Sequence, residues 1–72
     1  MPVWTFNRRK RLTTMLKEQE EGTLITCGDK AWVKSKGYWE MGTRRDWVDT
    51  NSELAERLIW LGEKHGLRYT LY

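Results

Sequence analysis

The chain has 72 residues, 13 Lys and Arg against 10 Asp and Glu, a net charge of +3, five tryptophans, one cysteine and one histidine. Below roughly 70–80 residues a single apolar core supplies only a few kcal/mol of net stability, so residues 1–72 are expected to form one domain with one helical layer on one sheet. No run of about 18 apolar residues exists to cross a membrane, and a lone Cys27 beside a single His65 forms neither an internal disulfide nor a Cys/His zinc set. A reducing cytoplasm without membrane attachment or cofactor is therefore expected, and Met-Pro-Val-Trp-Thr-Phe ahead of a basic cluster reverses the order of a signal peptide.

In chain order, Val3-Trp4-Thr5-Phe6 is short, apolar and β-prone, with Pro2 tolerated at a strand's first position, and is expected to be a strand. From Lys10 to Glu21, Leu12, Met15 and Leu16 recur at helical spacing, with Asn7 a candidate N-cap and Gly22 a candidate C-terminal glycine. Thr23–Cys27 and Lys30–Lys34 read as two strands of a hairpin whose Gly28-Asp29 turn suits type II′. After a turn at Ser35-Lys36-Gly37, residues Tyr38–Met41 either continue the second strand past a bulge or form a third short strand. Gly42–Val48 reads as a connection.

The strongest local signal comes next. Thr50-Asn51-Ser52-Glu53 has the form of a capping box, which predicts a helix from about Asn51 to His65 ended by Gly66. Leu54, Leu58, Leu61 and His65 share one stripe of it. Leu67–Tyr72 alternates as a final strand. The predicted class is α+β: a small two-layer sandwich with an antiparallel sheet of three to five strands and two helices on one face. The order β-α-β-β-(β)-α-β is that of a ferredoxin-like or related fold.

Three features carry the functional expectations. Residues 1–17 hold Arg8, Arg9, Lys10, Arg11 and Lys17 with no acid, while residues 18–72 are slightly acidic. The segment 7–11 is a helix start or a nucleic-acid-contacting arm. As a first helical turn, its cations would oppose the helix dipole at about 0.3–1 kcal/mol each, a burden that a phosphate ligand would relieve. The competing reading is a solvated face. Second, Trp32, Lys34, Lys36, Tyr38 and Trp39 interleave aromatic and basic side chains, followed by Arg44 and Arg45. Aromatic platforms flanked by cations bind single-stranded nucleic acid, and the arrangement resembles the mode of RNA-recognition motifs without their aromatic signature. Ordinary cross-strand packing is the alternative, in which one of Tyr38 and Trp39 faces the helices. Third, Trp60 projects about 120° from the leucine stripe, on the side of Glu56 and Lys64, and is expected to be exposed as a protein-binding anchor or a dimer contact.

No catalytic constellation is evident. His65 suits a helix end, Cys27 a small core site, and Asp46 and Asp49 lie close to Arg44 and Arg45. The leading expectation is a non-enzymatic module that binds nucleic acid. The alternative is a small accessory protein, similar in general character to those of bacteriophages, that modulates a larger protein through Trp60, Glu56 and Lys64.

Overall fold

Asn51–His65 is helical, with both ends where the sequence places them. Thr50 precedes it in extended backbone, its hydroxyl accepting from the Glu53 amide at 3.2 Å while the Glu53 carboxylate accepts from the Thr50 amide at 2.9 Å. Gly66 follows at φ 64°, where a side chain would be strained; its amide donates to the Gly62 carbonyl at 3.1 Å, and the Leu67 amide donates to the Leu61 carbonyl at 3.3 Å.

The computed structural model describes the backbone of residues 3–42 and 44–72 and the side chains of 7–42 and 47–72. The elements are α1 (Val3–Lys17), β1 (Leu24–Cys27), β2 (Lys30–Ser35), β3 (Tyr38–Met41), β4 (Arg44–Asp49), α2 (Asn51–His65) and β5 (Tyr69–Leu71). The five strands form one antiparallel sheet in the order β4-β3-β2-β1-β5. The α+β class, the antiparallel sheet and the two helices are as the sequence predicts, and no described helix is long and apolar enough to cross a membrane.

Two elements differ from expectation. The strand expected at Val3–Phe6 is the opening of α1, so Asn7 lies inside the helix rather than at its N-cap. Extending a nucleated helix costs only a propensity difference of about 0.5 kcal/mol per β-branched or aromatic residue. A four-residue strand needs a sheet edge, and β5 occupies the one beside β1. Residues 44–49, expected within a connection, form the edge strand β4; charged residues suit an edge, where they discourage pairing with other chains. Tyr38–Met41 is a separate strand of the meander, joined to β4 past a register shift at Glu40 and Met41.

The turns explain the meander. Cys27 pairs with Lys30, so Gly28 and Asp29 alone make the first turn, with Gly28 at φ 63° as type II′ requires. Ser35 pairs with Tyr38, and both Lys36 (φ 55°) and Gly37 (φ 81°) are left-handed, as in type I′. The Glu21 carboxylate accepts from both turn amides, at 2.6 and 3.0 Å, and so compensates the unusual conformation at Lys36.

Strand alternation puts Ile25, Cys27, Trp32, Lys34, Trp39, Met41 and Asp49 on one face, under both helices. Leu16 of α1 and Leu54, Ala55, Leu58 and Leu61 of α2 close the core over them. Burial pushes the Cys27 thiol up, an effect the Lys30 ammonium partly offsets.

Two buried charges are matched internally. Lys34, 5% exposed, donates to the carbonyls of Leu16 (2.8 Å) and Lys17 (2.9 Å), and its ammonium lies 5.7 Å from the centroid of the Trp39 ring. It thus satisfies the orphan carbonyls and negative dipole end of α1, a role few lysines take because burial without such partners is costly. Asp49, 1% exposed, accepts from the indole nitrogens of Trp32 and Trp47 and from Arg57 Nε and Nη2, all within 3.1–3.3 Å. Arg57 also lies over the Trp47 ring at 5.2 Å. Among the described residues the charged partner of Asp49 is therefore Arg57 of α2.

Candidate anion-binding groove

Because α1 begins at Val3, residues 8–11 occupy its interior rather than its first turn. The dipole penalty expected of them largely disappears, since that effect falls off within one turn of the helix end. Thr13 and Thr14 return their hydroxyls to the carbonyls of Arg9 (2.8 Å) and Lys10 (3.0 Å), so these side chains settle against the helix and leave the cations to extend outward.

The four cations then divide. Arg9 meets Glu56 of α2 at 3.2 Å, an exposed pair of small energetic weight that ties the helices together. Arg8, Lys10 and Arg11 are exposed and make no salt bridge among the described residues. Arg8 and Arg11 line an open groove of about 890 Å³ between α1, α2 and the start of β5, together with Arg68 and Tyr69. The floor is apolar: Leu12 and Met15 come from α1, Leu58 and Ile59 from α2, and Leu67 from the connection to β5. No Asp or Glu appears among the described lining residues. Around Arg11 and Met15 a second, shallower groove of about 550 Å³ continues past Lys10 toward Glu18.

Gly62 shapes the first groove. A glycine inside a helix costs about 1 kcal/mol relative to alanine. Here it lets neighbours approach α2 closely: the Leu67 carbonyl lies 3.5 Å and Arg8 Nη2 3.9 Å from where a Cβ would stand. The register Cys27↔Tyr69 turns Tyr69 toward the helix side of the sheet, yet as part of an edge strand the residue is 41% exposed. The groove therefore combines three guanidinium groups, one phenol ring and a hydrocarbon floor, a chemistry suited to an anion that also carries a flat apolar surface.

The other sequence-derived candidates are placed elsewhere. Trp32 and Trp39 are fully enclosed under the helices, and Lys34 is occupied with α1, so these three hold the fold together instead of facing a ligand. Their interleaving is the packing alternative, with Trp39 inward, bonded through its indole to Asn51 at 2.9 Å, and Tyr38 outward. Lys36, in the turn between β2 and β3, and Tyr38, on the sheet face away from the helices, are exposed and do not line the groove. The side chains of Arg44 and Arg45 lie outside the described residues. Trp60 is 52% exposed, as its helical position predicts, and meets the His65 ring edge-on at 4.9 Å between centroids. His65 is exposed rather than on the buried stripe. Glu56 is engaged by Arg9, and Lys64 is exposed.

Arg68, Tyr69 and Gly62 are the residues that sequence reasoning missed. The one available signal was Gly62 itself, since a glycine in the middle of a helical pattern often marks a close approach. No family model, curated protein or solved structure matches the chain.

Proposed function

We propose that this chain is a small binding module for nucleic acid, contacting phosphates through Arg8, Lys10, Arg11 and Arg68. The observation that carries this is the convergence of three arginines from two distant segments on a groove whose described lining contains no carboxylate. Guanidinium groups bind phosphate bidentately, and a cationic surface without internal counter-charges gains most from releasing the counterions of a polyanion. The described lining offers three guanidinium groups, the Asn7 amide, one phenol and hydrocarbon, an inventory suited to holding an anion. Compared with the sequence-based expectation, the arginine cluster is kept, while Trp32, Trp39 and Lys34 leave the proposed contact set because they are buried. A reducing cytosol accords with Cys27, which is free and buried.

The exposure of Trp60 supports a second reading, docking on a larger protein through the opposite side of α2. One titration separates the two. With three or four phosphate contacts, the slope of log K against log salt for a labelled single-stranded oligonucleotide is expected near −2 to −3, and Trp60→Ala should leave it unchanged. A slope near zero, or loss of oligonucleotide binding in folded Trp60→Ala, would remove the nucleic-acid reading.

A further inference from the structure

Resting on that reading, we infer that the groove between α1, α2 and β5 is a subsite for unpaired nucleotides. Its arginines hold backbone phosphates while a base lies over the hydrocarbon floor and against the Tyr69 ring.

The groove is not merely cationic. A patch that only neutralises phosphates needs no concavity and no apolar floor, and duplex DNA offers such a patch its phosphates and the edges of its bases. In a duplex the π-faces are stacked on one another. Only an unpaired base presents a face to an aromatic ring or to aliphatic carbon, and single strands are bound in this way, by charge along the backbone and stacking at the bases.

The structure supplies both halves at adjacent positions. Arg68 and Tyr69 are consecutive and exposed, and they line the groove together with Arg8, Arg11, Leu12 and Met15. A thioether and branched hydrocarbon adapt to any base, so the subsite tolerates sequence while selecting the unpaired state. Gly62 fits the same account, because the missing side chain lets the Arg8 guanidinium and the Leu67 backbone come close to α2, at a cost in helix propensity. An acidic peptide would satisfy the guanidinium groups but bring no flat ring for the floor and Tyr69 to hold. A nucleic acid repeats phosphate and π-face at every residue.

The test compares a labelled mixed-sequence single-stranded oligonucleotide with the same strand hybridised to its complement, using the full chain and three variants. The single strand is expected to bind more tightly. Tyr69→Ala should weaken it about 5- to 150-fold, the equivalent of one stacked base, without affecting the duplex, and Tyr69→Phe should restore it. Gly62→Leu occupies the groove beside Arg8 and the Leu67 carbonyl, so the folded variant should bind the single strand more weakly; it reports on the groove independently if Tyr69→Ala fails to fold. Equal affinity for single strand and duplex, unaffected by Tyr69→Ala and Gly62→Leu, would overturn the subsite and leave phosphate binding standing. Absence of binding to both at low salt, or displacement by polyglutamate as effective as by unlabelled oligonucleotide, would overturn both.

Discussion

Arg57 meets the buried Asp49 carboxylate at 3.2 Å and covers the Trp47 ring, while Arg8, Arg11 and Arg68, on the opposite side of α2, meet hydrocarbon and no carboxylate among the described residues. The two settings show how the same guanidinium group is used in two ways within one small domain. Where Asp49 gathers Trp32, Trp47 and Arg57, both carboxylate oxygens and both indole nitrogens have partners, and the cluster ties β2, β4 and α2 together. In the groove the guanidinium groups have no carboxylate partner among the described residues while the surface is shaped, the arrangement expected where an external ligand completes the set. A domain of this size has little stability to spare, so internally matched and unmatched charges should respond to substitution in opposite ways.

The largest effect is expected at the matched end. Asp49→Ala leaves the enclosed Trp32 indole without an acceptor and Arg57 without its carboxylate, costing about 3–4 kcal/mol. For a domain of this length that lowers the melting temperature by more than about 12 °C, measurable by circular dichroism. A drop of only a degree or two would mean that the cluster is no more than surface decoration.

The next effect belongs to the cap of α2. Thr50→Ala removes the acceptor for the Glu53 amide and should cost about 1 kcal/mol. Its carboxylate partner adds a pH dependence. The Thr50 amide, then its hydroxyl, with Arg57 a minor contributor, holds the Glu53 carboxyl below its ordinary value of 4.5. A depressed folded-state value means that the contribution is present above the unfolded value and is lost as pH falls through the folded one. The melting-temperature gap between the natural protein and Glu53→Gln, small at pH 7, should therefore close below about pH 4.5. A gap that widens on acidification would contradict the sign.

The difference between the two regions also accounts for what was legible in the sequence. Helix α2 was readable from end to end because its signals are local: Thr50, Glu53 and Gly66 act within a few residues of where they stand. The hairpin turn at Gly28-Asp29 was readable for the same reason. The sheet aromatics were ambiguous because Trp32, Lys34 and Trp39 have one pattern for a binding platform and for a core. What decides between them is that Lys34 finds the carbonyls ending α1, a contact no spacing rule reveals. The β-prone Val3–Phe6 became helix through the sheet edge taken by β5, and β4 was hidden by its charges. The groove draws on residues some sixty positions apart, Arg8 and Arg68, so half of the candidate site was visible as a basic cluster and the other half only once the chain was folded.

The central claim is tested most directly by comparing two variants for both stability and binding. Arg8→Gln, Arg11→Gln and Arg68→Gln combined should abolish single-strand binding and leave the melting temperature unchanged or slightly raised, while Arg57→Gln should lower the melting temperature and leave the affinity of the folded protein intact. Retained binding in the triple variant, or equal loss of binding in folded Arg57→Gln, would contradict the account.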